Sequence, residues 1–222
     1  MYNKDSAQKD LVYYGRKIEQ KNLVVGPGGN TSARAGDIVY MKASGVAFED
    51  ATRDDYIGID LKTGKVVGSF KKPSCEILMH LGCYAVRDDI AAVVHTHSPY
   101  AMAVASSGQT VPPLFPDYVG LLGTEIPRID YVVPAGRELA DRVVEAVRKH
   151  SVVLLANHGV VAVGANVREA YFRALGTEVA AKLFVMSKLL GGPRVLTPEE
   201  VQEVNELEAE DYRRELLKGW RK

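Results

Sequence analysis

Residues 91–99 read AAVVHTHSP, an apolar run that ends in two histidines two positions apart. Side chains of a strand alternate between its faces, so His95 and His97 leave the same side and can aim at one point. A second apolar run, SVVLLANHGVVAVG over residues 151–164, breaks in the same manner at Asn157-His158-Gly159. Three of the five histidines therefore stand at strand ends. Three imidazoles with an open fourth position are the donor set of a zinc site that takes water or substrate. A lone histidine at a strand end reads as a hydrogen-bonded structural residue; the His-x-His pair together with His158 points to a metal.

The 222 residues carry 46% apolar side chains and a formal charge of +0, with 28 basic and 28 acidic groups. That is enough chain to bury a core, and the expectation is one domain over residues 1–222. Balanced charge speaks against a nucleic-acid surface or an acidic tail, leaving a small molecule or another copy of the chain as partner. No apolar run reaches membrane-spanning length and the first nine residues are polar, so a soluble, cytoplasmic protein without membrane contact is expected. Cys75 and Cys83, read as lying on one helix about 12 Å apart, are expected to be free thiols.

Residues 5–21 have the pattern of an opening helix, capped by Asp5 or Ser6, with Ala7, Leu11, Tyr14 and Ile18 on one stripe. Residues 24–34, VVGPGGNTSAR, form a glycine-rich loop followed by Asn30, Thr31 and Ser32. Its backbone amides and polar side chains suit a phosphate cradle, although GPGG by itself is more often just a turn. Ile38–Ala43 alternates as a strand into Ser44-Gly45, a second turn able to face an anion. Residues 56–60 and 65–68 flank a hairpin turn. Residues 71–87 predict a helix with Ser74 at its N-cap, where phosphate is favoured, and Glu76 in its first turn. His80 lies four residues further on, placed to support Glu76. Residues 111–124 read as a proline-rich connection carrying Asp117 and Tyr118. An amphipathic helix over 136–150, strands at 152–156 and 160–163, a long helix from its Asn166 cap to about 190, and one charged final helix from Thr197 complete the reading. Strands and helices mix without a strict βαβ rhythm, which predicts an α/β protein whose mixed sheet has helices on both faces.

Taken in order, GGNTS (28–32), ASG (43–45), PSCE (73–76), HTHS (95–98) and NHG (157–159) resemble the class II aldolase and adducin head family, and the likeness spans almost the whole chain. The resemblance implies a three-layer αβα fold with a central mixed, mostly antiparallel sheet. It implies one Zn2+ per subunit on His95, His97 and His158, with Glu76 as the acid/base that also ligates the metal when substrate is absent. It assigns substrate phosphate to Gly29, Asn30, Ser44, Gly45, Ser74 and Cys75, and it implies a homotetramer with active sites at subunit boundaries. Two departures stand out. The second Ser of the family's pair is Cys75, a poorer donor to phosphate than a hydroxyl. The aldolase tyrosine after HxH has no secure counterpart, so the proton on the aldehyde-side hydroxyl falls to Asp117 or, from the last helix, Tyr212. The activity implied is cleavage of a ketose 1-phosphate of the fuculose 1-phosphate kind to dihydroxyacetone phosphate and an aldehyde. Ribulose-phosphate 4-epimerase, for which Asp117 speaks and Glu76 does not, is the alternative, with sugar-acid phosphate decarboxylases and thio-sugar phosphate lyases beside it. A non-catalytic scaffold like the adducin head fits poorly with the intact histidines and Glu76.

Overall fold

A computed structural model describes residues 2–219. In chain order the helices are α1 (Lys4–Gln20), α2 (Ile77–Val86), α3 (Pro99–Ser106), α4 (Pro116–Leu122), α5 (Arg137–Val147), α6 (Val167–Leu189), α7 (Pro198–Asn205) and α8 (Glu208–Gly219). The strands are β1 (Asn30–Ala35), β2 (Ile38–Lys42), β3 (Tyr56–Asp60), β4 (Val66–Val67), β5 (Ala92–Thr96), β6 (Arg128–Ile129), β7 (Val152–Leu155) and β8 (Gly159–Gly164). They form one sheet in the order β4-β3-β2-β1-β5-β8-β7-β6. Every neighbouring pair is antiparallel except β6 with β7, so the sheet is mixed and mostly antiparallel as expected.

Strand alternation sorts the core into two layers. Ala92 and Val94 of β5, with Val160 and Ala162 of β8, pack toward α1, α3, α4 and α6. Val93, Val161 and Val163 point the other way, onto Met79, Cys83 and Tyr84 of α2 and Leu139, Val143 and Val147 of α5. Helices thus cover both faces, giving the αβα sandwich. β5 is buried along its whole length because it lies between β1 and β8 and under helices on both sides, which explains its lack of polar alternation. His95 shares the parity of Val93 and therefore faces the α2 layer, as does Asn30, its register partner in β1.

Several local expectations are corrected. Residues 30–35 are a strand rather than the tail of a loop: the polar Asn30 and Ser32 sit inside because hydrogen bonds to α2 satisfy them. The helix expected from residue 71 begins at Ile77 with Glu76, not Ser74, as its N-cap; the Ser74 hydroxyl instead accepts from the Glu76 amide. Cys75 is therefore exposed ahead of α2 while Cys83 is buried in it, and both are free. The proline-rich connection contains α4, opened by Pro116, whose fixed φ suits the first turn. The final helix is two, α7 and α8, separated at Glu206-Leu207. No helix among the described residues is long and apolar enough to cross a membrane.

Candidate active site

Three loops deliver the site to one end of the sheet. β5 carries His95 next to its last residue, Thr96, and runs on to His97, the β7–β8 turn carries His158, and the N-terminus of α2 presents Glu76. Close packing of backbone makes this possible: a Cβ on Gly159 would lie 2.1 Å from the Thr96 carbonyl oxygen, and Gly29 holds φ +65° with its Cα hydrogen aimed at the His95 carbonyl. Asn157 takes the left-handed conformation, φ 57°, that turns His158 inward.

The imidazoles converge, with one ligand atom from each of His95, His97 and His158 lying within 4.8 Å of the others. Nε2 of His95 is 3.2 Å from Nε2 of His97 and 3.2 Å from Oε2 of Glu76, and Nε2 of His158 is 3.3 Å from Oε1 of Glu76. Donors about 2.1 Å from a tetrahedral cation stand roughly 3.4 Å apart, so these spacings are those of a ligand shell. His95 donates its Nδ1–H to the Val160 carbonyl at 3.0 Å, which leaves the Nε2 lone pair directed at the cluster. Glu76 Oε1 is buried without a hydrogen-bond partner among the described residues, another sign that this set fits a cation.

Electrostatics agree with that use. Burial lowers the pKa of His95 and His97, and takes His158 down to about 4, so all three are neutral donors at neutral pH. Burial alone would raise the pKa of Glu76; the His95 ring, the hydrogen bond from Asn30, and the His158 and His80 rings outweigh it and hold the carboxyl at about 2. Glu76 is an anion at 5% exposure.

Behind Glu76 lies a relay that the sequence reading found only in part. Asn30 donates its amide N–H to Glu76 Oε2 at 2.8 Å and accepts on Oδ1 from His80 Nε2. His80, held neutral by burial with a pKa of about 3, then accepts on Nδ1 from Ser32, whose Oγ accepts from the Tyr84 hydroxyl at 2.7 Å. His80 supports Glu76, as its i+4 spacing suggests, but through Asn30 rather than directly. Ser32 and Tyr84 carried no local signal, since their meeting depends on β1 passing under α2.

The six residues assigned to phosphate fall on neighbouring turns. An isolated bridge between Ala43 and Pro73, with the Ser44 amide donating to Lys72 O at 2.9 Å, lays the Ser44-Gly45 turn beside Ser74-Cys75. Gly29 leads into β1, whose first residue, Asn30, pairs with His95. Lys42, which the sequence reading passed over, is buried and donates from Nζ to the carbonyls of Pro27 and Val46, tying the glycine loop to the second turn. Its burial lowers its pKa to about 8, against the opposing pull of Glu19 and Asp55. Asp117 is exposed on α4 and ion-paired with Arg213 of α8 at 3.0 Å, and Tyr212 is exposed on α8; the structure gives neither a hydrogen bond to the imidazole cluster.

An αβα sandwich that gathers three neutral imidazoles and an anionic carboxylate at the end of its sheet defines a metal-dependent enzyme. Residues 9–185 match the family described as Class II Aldolase and Adducin N-terminal domain. A 5-deoxy-D-ribulose 1-phosphate aldolase from Bacillus thuringiensis serovar kurstaki is 34% identical over 88% of this chain and 92% of its own length. An L-fuculose phosphate aldolase from Methanococcus maripaludis is 33% identical over 78% of the chain and 94% of its own. Among solved structures, an L-fuculose 1-phosphate aldolase superposes with a TM-score of 0.86 at 31% identity, covering 96% of this chain and 98% of that one. The chain belongs to the class II aldolase family and is an aldolase, a carbon-carbon lyase.

Proposed function

We propose that the enzyme is a zinc-dependent aldolase cleaving a ketose 1-phosphate to dihydroxyacetone phosphate and an aldehyde. The observation that carries this reading is the anionic Glu76 carboxylate, fixed by Asn30 and 3.2–3.3 Å from two of three converging imidazoles. His95, His97 and His158 hold the cation, an all-nitrogen set that suits Zn2+. A cation bound there supplies Lewis acidity toward the substrate's ketone and adjacent hydroxyl oxygens.

The chain's own groups move the protons. The hydroxyl on C4 loses its proton to Asp117 or Tyr212, the C3–C4 bond breaks with its electron pair drawn toward the ketone, and the Glu76 carboxylate takes up a proton from solvent and passes it to C3. In the condensation direction Glu76, as an anion, removes that proton. Gly29, Asn30, Ser44, Gly45, Ser74 and Cys75 receive the phosphate, supported by the adjacency of their turns. For Asn30 this means its backbone side, because the amide is engaged with Glu76 and His80. Asp117 and Tyr212, exposed on α4 and α8, act from one subunit on a neighbour's site within a homotetramer. By their names, the Bacillus relative acts on 5-deoxy-D-ribulose 1-phosphate and the superposed structure on L-fuculose 1-phosphate, both ketose 1-phosphates, which supports this substrate class.

A panel of ketose 1-phosphates scored for dihydroxyacetone phosphate release, with and without chelator, tests the reaction: release that a chelator abolishes and Zn2+ restores is expected. Glu76→Gln is expected to retain one metal per chain yet lose exchange of the dihydroxyacetone phosphate C3 proton with solvent; normal exchange in that variant overturns the role of Glu76.

A further inference from the structure

The end of the sheet opposite the imidazoles carries a second concavity, a groove of about 1480 Å3. Its walls are the outer face of α1, the β1–β2 turn, the loop at residues 88–91 that leads into β5, and the start of α6. β1, β5 and β8 each have one end at the active site, at Asn30, His95 and Gly159, and the other at the groove, by Arg34, Ala91 and Ala165. Four to six strand residues, roughly 13–20 Å, separate the two places.

The chain as a whole has equal numbers of basic and acidic groups, but the described groove wall has eight Lys or Arg side chains against two Asp. Lys9, Arg16 and Lys17 come from α1, Lys21 from its C-cap, Arg34 from β1 and Arg168 from α6. Among the described residues, no ion pair joins Lys9, Arg16, Lys17, Lys21 or Arg34 to an acid; Lys17 instead leans over the ring of Tyr13 at 5.0 Å. Arg53 and Lys218 are paired outside the groove, with Asp5 and Glu215, but the cations of the wall still outnumber its acids. Like charges in excess repel one another and a concave wall concentrates their field, so an anion entering the groove relieves a standing cost. Tyr13 stands half exposed among these cations and offers a ring face or edge.

We propose that this groove is a second ligand site, for a small polyphosphate bearing a flat ring, of the chemical class of the nucleoside di- and triphosphates. The phosphates lie among the α1 cations and Arg34, and the ring lies against Tyr13. This site is independent of the aldolase site and of the reading given to it.

Calorimetric titration of the full chain with ATP, and separately with inorganic tripolyphosphate, tests it. Saturable binding of one ATP per chain is expected. The exposed pair Lys9→Ala/Arg16→Ala should weaken both ligands about tenfold, the sum of two exposed ion pairs, with aldolase activity unchanged as the check on folding. Tyr13→Ala should weaken ATP and not tripolyphosphate. His97→Ala, which alters the active site, should leave ATP binding where it was. Absence of saturable binding, binding indifferent to Lys9→Ala/Arg16→Ala, or binding lost with His97→Ala overturns the proposal. So does a fall in assembly mass in the double variant, which would make the groove a subunit interface.

Discussion

At Gly159 a single hydrogen decides whether the active site closes. The Cβ of an alanine there would meet the Thr96 carbonyl oxygen at 2.1 Å and the His95 ring at 3.3 Å. Backbone on both sides cannot give way without parting β5 from β8, so Gly159→Ala is expected to cost at least about 3 kcal/mol in urea-unfolding free energy and to lower the metal content. Lys42 makes a different kind of demand. Its pKa falls from the ordinary value of 10.5 to about 8 on folding, so between those values the unfolded chain binds the extra proton. Stability gains from this group as pH rises from 8 to 10.5, and below 8 its buried charge opposes folding in full. Wild type should therefore gain stability relative to Lys42→Met across that interval, by thermal or urea melts at pH 7.5, 9 and 10.5; parallel curves would refute the assignment. The contrast between His95 and Lys42 shows what residues reveal in isolation. His95, His97 and His158 announced themselves through spacing at the ends of apolar runs. Lys42 looked like an ordinary strand-end cation, because the carbonyls that receive it, Pro27 and Val46, belong to turns whose approach only the fold creates.

Elements act on the site through their junctions. Glu76 is held by α2 from one side and by Asn30 of β1 from the other, and Asn30 is held in turn by His80. Replacing Asn30 by Leu removes a hydrogen bond to the charged form of Glu76, so the carboxyl's pKa rises from about 2. The acid limb of the kcat/KM profile should move to higher pH, and stability should fall by about 1–3 kcal/mol as His80 loses its acceptor; an unmoved acid limb would show that Asn30 does not set the charge of Glu76. At the other end of the chain, Gly120 of α4 leaves room for Glu210 of α8, whose Oε2 would lie 2.2 Å from a Cβ at that position. Arg213 clamps the same junction by pairing with both Glu210 and Asp117. Gly120→Ala should unseat α8, seen as faster limited proteolysis between α7 and α8, and activity should fall if Tyr212 works from that helix. Elements with a strong period were legible: α1 and α6 lie within one residue of their expected bounds because caps and apolar stripes coincide. β1 was not, since Asn30 and Ser32 read as loop chemistry until groups presented by α2 satisfy them. The division between α7 and α8 was hidden for the opposite reason, a uniformly charged stretch with no internal stop signal.

Over the whole molecule, the sandwich brings together four groups from residues 76, 95, 97 and 158, more than eighty positions apart at the extremes. An unfolded chain has no such cluster, so a cation that fits it binds the folded state almost exclusively, and its binding free energy becomes folding free energy. Glu76 Oε1, buried without a hydrogen bond, and Nε2 atoms facing one another at 3.2 Å leave the cluster with donors unmatched by the protein itself. At a metal concentration 100 times Kd the increment is about 2.7 kcal/mol, and for a chain of this length 1 kcal/mol moves Tm by roughly 2–4 °C. Stripping the enzyme with a chelator should therefore lower Tm by about 5–10 °C, with Zn2+ restoring it at one equivalent per chain. His158→Ala separates a ligand effect from general weakening: its Tm should become insensitive to both chelator and Zn2+, whereas Lys9→Ala, at the far end of the sheet, should keep the full metal-dependent shift. If His158→Ala responds to Zn2+ as wild type does, the three imidazoles are a structural cluster and the metal binds elsewhere.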